Sequence, residues 1–215
     1  MDFYIVIPTI RNKYQIALNT LLQSIPDNFK NYIIIYQDEE SVEINTFQDG
    51  HIELSIPNNI FEYGNWIGTG ILLEKNILPP DTWFLFIHDT CRMTDNSLKL
   101  TQSIIDNKPD NELNIIWLAG GFFNICLIRK NGITTGYDLY KNHLNMDKGV
   151  AISAEHNKHH LSPKRLPVSQ YFIDFNPNIG ATSDVYQTGV QRWVQYLKSI
   201  ELYKYNSFVN DIKKP

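Results

Sequence analysis

The chain has 215 residues, 43% of them hydrophobic and 20% charged, with a formal net charge of -4. This composition belongs to a soluble globular protein with a substantial core, and an acidic balance without a basic run excludes a nucleic-acid track. No stretch approaches the ~18–20 apolar residues that cross a bilayer; Met1-Asp2-Phe3 has no basic leader, and Cys91 and Cys126 make no disulfide framework, so a cytoplasmic protein with reduced thiols is expected.

In chain order, Phe3-Tyr4-Ile5-Val6-Ile7 is a short apolar run stopped by Pro8, a first buried strand. Tyr14, Ala17, Leu18, Leu21, Leu22 and Ile25 repeat at amphipathic-helix spacing until Pro26 and Asp27 break it. Tyr32–Tyr36 is a second strand, ending in Gln37-Asp38-Glu39-Glu40, and His51–Ile56 a third, closed by Pro57. Gly64–Asn76 predicts a helix. The run Trp83-Phe84-Leu85-Phe86-Ile87 that follows predicts a fully buried parallel strand. A helix fits Ser97–Asp106, and strands fit Ile115–Ala119 and Phe123–Ile128, separated by Gly120-Gly121. Beyond Arg129 the pattern loosens; Val185–Leu197 is helical or mixed, with an ordinary packing face in Val190, Trp193, Val194 and Leu197. Strands alternating with helices predict βαβ units, a mostly parallel central sheet flanked by helices, and one domain spanning 1–215.

Polar groups cluster where these strands end: Pro8-Thr9-Ile10-Arg11, Gln37-Asp38-Glu39, His88-Asp89-Thr90 and the residues around Gly120-Gly121. Open α/β sheets bind ligands along that carboxyl edge, so Asp89 is a candidate metal or phosphate-site residue; the plainer alternative is a turn residue. On an alternating strand end His88 and Thr90 share one face with Asp89 opposite, unless a turn intervenes.

Taken together these segments resemble a small GT-A-fold glycosyltransferase, a Rossmann-like family that uses nucleotide-diphosphate sugars. Ile5-Val6-Ile7-Pro8-Thr9 is similar to the family's first strand and nucleotide-side turn, and Tyr36-Gln37-Asp38-Glu39 to the place of an acid near base or ribose. His88-Asp89-Thr90 stands where the family has Asp-x-Asp, and Gly136-Tyr137-Asp138 resembles an acceptor-side "GGFDE" turn. The likeness spans most of the chain, with a nucleotide-binding half over about 1–95 and an acceptor half with its tail over about 96–215. It implies a nucleotide-diphosphate sugar donor, with UDP as the nucleotide, and a glycan or glycoconjugate acceptor. It also implies donor contacts from Pro8, Thr9, Arg11, Asp38, Asn65, His88, Asp89, Arg192 and Lys204.

The Asp-x-Asp motif is reduced here to one aspartate. Hard cations such as Mn²⁺ or Mg²⁺ prefer oxygen ligands, so Asp89 needs help, and His156 and His160, four apart in Glu155-His156-Asn157-Lys158-His159-His160, could supply it. An inverting transfer needs a base; Glu155 matches best, with Asp138 and Asp147 behind it. Each acid also fits a plain surface role. Two rival classes are a catalytically inactive nucleotide- or sugar-binding module and a sugar-1-phosphate nucleotidyltransferase. The latter lacks its glycine-rich phosphate loop, because Pro8-Thr9-Ile10-Arg11-Asn12 contains no glycine.

Overall fold

A computed structural model describes residues 3–57, 64–79, 81–107, 115–118, 125–140, 172–173, 183–187, 193–197 and 199–205. Twelve strands and four helices are described. The strands are β1 (Phe3–Ile10), β2 (Tyr32–Gln37), β3 (Glu43–Thr46), β4 (Ile52–Ser55), β5 (Trp83–Phe86), β6 (Cys91–Arg92), β7 (Ile115–Trp117), β8 (Cys126–Arg129), β9 (Phe172–Ile173), β10 (Ser183–Gln187), β11 (Trp193–Leu197) and β12 (Leu202–Tyr205). The helices are α1 (Gln15–Leu22), α2 (Gly64–Glu74), α3 (Ser97–Asp106) and α4 (Lys130–Tyr140).

The most apolar runs form the middle of an eight-stranded sheet ordered β3-β4-β2-β1-β5-β8-β7-β9. Contiguous strands β4, β2, β1 and β5 are parallel. Antiparallel pairings bound them, β3 on β4 at one side and β8 on β5 and β7 at the other. The sheet is therefore mixed, with a parallel centre.

Period-two alternation sends side chains to two cores. Phe3, Ile5, Ile7, Leu85 and Ile87 face Leu18 and Leu21 of α1 and Leu98 and Ile105 of α3. Val6, Phe84 and Phe86 face Trp66, Ile67, Ile71 and Leu72 of α2. Each such side chain, fully withdrawn from water, contributes about 1.5–3 kcal/mol before ordering costs. This double cover explains why β1, β2 and β5 are continuous apolar runs instead of alternating ones.

Pro8 does not stop β1, which continues in register with β2 to Ile10↔Gln37. Ile5 N–H donates across to Asn31 O (2.9 Å), whereas Val6 O accepts from Ile87 N–H (3.1 Å) on the other side. Even-numbered groups of β1 thus face β5, and the β1–β5 register ends at Val6↔Phe86. The missing N–H of Pro8 falls beyond that ladder, the kind of position where a strand tolerates proline.

Two further expectations are corrected. Val185–Leu197 is not helical: β10 and β11 pair antiparallel, β11 continues onto β12, and β12 onto β6, giving a second sheet ordered β10-β11-β12-β6. The aromatic and β-branched residues Trp193, Val194 and Tyr196 suit a strand as well as the helical spacing first assigned, and the pairing with β10 and β12 decides for the strand. Gly136-Tyr137-Asp138 is no turn either, but part of α4. Tyr137 packs against Gly70 of α2, where an added Cβ would collide with its ring, and its hydroxyl donates to Glu74 (3.0 Å). Cys91 and Cys126 are free and buried. Among the described residues no helix is long and apolar enough to cross a membrane.

Candidate functional site

The strand order creates one special place. From β1 the chain moves outward to β2 and β4, then α2 carries it back so that β5 lands on the opposite side of β1. Connections leave β1 and β5 in opposite directions, which opens a crevice beyond their carboxyl ends. Thr9 and Asp89 stand at this switch point. The Thr9 hydroxyl donates to Asp89 Oδ2 at 2.8 Å, and both residues are buried.

A turn does intervene after β5. Cys91 N–H donates to His88 O (2.9 Å), so Asp89 and Thr90 occupy its corners and the strand alternation lapses. Burial pushes the Asp89 carboxyl above the ordinary aspartate range. Donation from the Thr9 hydroxyl, the positive charge of Lys204, donation from the Thr90 N–H and the positive charge of Arg92 pull the other way, toward the ionised form.

Those two cations come from the second sheet. β12 lies beside β6 with Lys204↔Cys91 in register, and Tyr205 N–H donates to Thr90 O (3.1 Å). Lys204, only 6% exposed, donates from Nζ to Thr90 Oγ1 and to Tyr205 O (3.3 Å). Arg92, 8% exposed, donates from one guanidinium nitrogen to Ala17 O (3.3 Å), Asp89 O (3.4 Å) and Cys91 O, and lies over the Tyr205 ring at 5.6 Å. Its Nε and Nη2 are buried with no acceptor among the described residues.

The first turn of α2 closes another side of the crevice. Asn65 is buried, and its Nδ2 donates to Ile87 O at the end of β5 (3.3 Å), leaving Oδ1 without a partner among the described residues. Gly64 abuts Gln37 at the end of β2, where any Cβ would stand 2.7 Å from Gln37 Cδ. A side chain at this position would have to displace the buried Gln37 amide.

Other expected residues line the same edge. Pro8 is buried beside Thr9. Arg11 is exposed, pairs through Nε with Glu39 Oε1 at 3.0 Å, and stacks 3.7 Å above the Tyr36 ring. Burial first, and the Glu53 charge second, push the Tyr36 hydroxyl up to about 12. Asp38 follows β2 as an exposed residue with φ 68°, and Asn12 follows β1 with φ 62°. Both are residue types that tolerate the left-handed region. His88 is half-buried.

The site thus brings together Pro8, Thr9, Asn65, His88, Asp89 and Lys204 at or beside the switch point, with Arg11 just beyond β1 and Asp38 just beyond the neighbouring β2. Asp138 lies on α4, which starts from the end of β8 that pairs with Trp83, the edge opposite Asp89. Glu155, His156, His160 and Arg192 lie outside the described residues, as do Asp147, Tyr63 and Arg165. Sequence reasoning missed Arg92. Its signal was a cation three residues after Asp89, between the apolar Cys91 and Met93.

Among the described residues the donor set around Asp89 is a poor match for a divalent cation. Oδ2 already accepts from Thr9, and the charges nearest the carboxylate are positive. Among the described residues no group of three His, Cys, Asp or Glu side chains converges as a metal ion would require.

No protein-family model and no curated protein matches the chain. Among solved structures it is similar to a glycosyltransferase involved in the glycosylation of the major capsid of PBCV-1. The identity is 12%, the TM-score 0.42, and the match covers 78% of this chain and 79% of that one. At that distance the chemistry has to come from the site itself.

Proposed function

We propose that the chain transfers a sugar from a UDP-sugar, or another nucleotide-diphosphate sugar, to a hydroxyl of a glycan or glycoconjugate. The observation that carries this is the Thr9–Asp89 hydrogen bond, which ties the ends of β1 and β5 together across the switch point of a parallel sheet. A nucleotide at that edge would use Asp38, at the end of β2, for a base or ribose hydroxyl, and Asn65 offers it a buried acceptor, Oδ1, that has no donor among the described residues. Lys204 brings positive charge to the diphosphate side.

In the reaction the acceptor oxygen bonds to the anomeric carbon. The bond from that carbon to the phosphate oxygen breaks, its electron pair leaves with the nucleoside diphosphate, and the hydroxyl proton passes to a carboxylate. Glu155 is the proposed base and Asp138 the alternative. Fixed dipoles and charges at the leaving group supply the largest share of rate enhancement in such sites.

The test is calorimetry with UDP and other nucleoside diphosphates, followed by release of sugar from a panel of nucleotide sugars. Binding with turnover of one donor supports an enzyme. Binding without turnover of any donor supports the inactive binding module, and no nucleotide binding at all removes the proposal.

A further inference from the structure

We propose that Arg92 and Lys204 form an anion subsite beside Asp89 that takes the donor's diphosphate in place of a divalent cation, so that nucleotide binding needs no metal. The inference rests on the proposed nucleotide donor, but its evidence is separate. Three buried ionisable side chains meet after β5: Asp89 at 9% exposure, Arg92 at 8% and Lys204 at 6%. A buried guanidinium with unused donors is costly. Arg92 has two such atoms, Nε and Nη2, with no acceptor among the described residues.

The rest of the guanidinium is fixed. Donation to Ala17 O on α1 and to Asp89 O holds it between the first helix and the Asp89 turn, with the Tyr205 ring beside it. Lys204 is fixed in turn by Thr90 and by the β12–β6 ladder. Two immobilised cations beside a switch point offer positive charge to a phosphate, and an arginine fork suits phosphate oxygens in particular. A metal at this place would meet two positive charges and one carboxylate oxygen already engaged by Thr9. When the anomeric carbon–oxygen bond breaks, the electron pair that leaves with the diphosphate is neutralised by the same two side chains.

The experiment is titration of UDP, and separately of uridine, into the full chain by calorimetry, once with EDTA and once with Mn²⁺. It is repeated for Arg92→Met, Arg92→Lys and Lys204→Met. The UDP affinity in EDTA is expected within about threefold of that with Mn²⁺, and each methionine variant is expected to weaken UDP by about tenfold or more while uridine is unchanged. Arg92→Lys keeps the charge, and it should recover part of the loss if the Met variant folds poorly. UDP binding that appears only with Mn²⁺, or variants that weaken UDP and uridine alike, would overturn the subsite. If no nucleotide binds under either condition, the donor assignment fails, and inorganic pyrophosphate in EDTA then judges the subsite alone. A rise in melting temperature for the unmodified chain but not for Arg92→Met sustains it; no rise overturns it.

Discussion

Thr9→Val replaces a hydroxyl by a methyl of similar shape at a side-chain contact that spans the switch point. Its effect can be worked from the structure. The Thr9 hydroxyl donates to Asp89 Oδ2 at 2.8 Å, and Asp89 is only 9% exposed, so water cannot readily take the vacant place. A hydrogen bond to a charged group contributes about 1.5–3 kcal/mol. For a chain of this size 1 kcal/mol shifts the melting temperature by about 2–4 °C, so a fall of about 3–12 °C is expected at neutral pH. The pH dependence gives a sharper check. Burial holds the Asp89 carboxyl above its ordinary range in the folded chain. Its contribution to stability is therefore full below the ordinary aspartate value and is lost as pH rises through the raised folded value. Removing the Thr9 hydroxyl weakens the ionised form further and moves the folded value up again. The cost of the substitution should thus be greatest near neutral pH and shrink as Asp89 protonates. Differential scanning calorimetry across that range measures it. An unchanged melting temperature at neutral pH, or a loss of equal size at every pH, would refute the reasoning.

Asp89→Asn removes a charge that burial disfavours, so the stability lost between the ordinary aspartate range and neutral pH should largely disappear in the variant, as urea unfolding across that range would show. UDP binding in EDTA should be retained; its loss together with unchanged stability would instead make Asp89 a direct ligand of donor or metal. Gly68→Ala places a Cβ against Ile35 Cδ1 and 2.9 Å from Leu54 Cδ2, so overpacking should cost about 1–3 kcal/mol. Ile35→Val deletes the colliding methyl, and a double-mutant cycle should show that it recovers part of that cost. Burial pushes the Cys91 thiol up to about 11 and the Cys126 thiol upward as well. Neither should react with a disulfide reagent at pH 8 until the chain is unfolded, and rapid native labelling would contradict the packing. Glu155→Gln should slow sugar transfer by about 10²–10⁴-fold with UDP affinity unchanged if Glu155 is the base; unaltered turnover would point to Asp138 or to a mechanism without a dedicated base.

The sequence by itself determined the parallel centre of the sheet. The runs at Phe3–Ile7, Tyr32–Tyr36 and Trp83–Ile87 are short and rich in β-branched and aromatic residues, which marks them as strands buried on both faces, and α1, α2 and α3 carry spacing or boundaries that need no tertiary help. The polar ends of those strands were legible for the same reason: an apolar run that stops abruptly in Thr9, Asp38 or Asp89 marks where the sheet meets its edge. Local pattern could not show β3, a short strand of mostly exposed residues held only by its pairing with β4. It could not show that Pro8 stays in β1, because that depends on which neighbour each backbone group faces. Nor could it show the tail as a sheet, since β10, β11 and β12 are defined by one another and by β6, far back in the chain. Tertiary structure alone decided the charges of the site. Lys204 reaches Thr90 across 114 positions, Thr9 reaches Asp89 across 80, and Arg92 becomes a buried cation only when β12 covers it. Sequence periodicity encodes which face of an element is apolar; it carries no distance between one strand end and another, and electrostatics in a crevice is set by those distances.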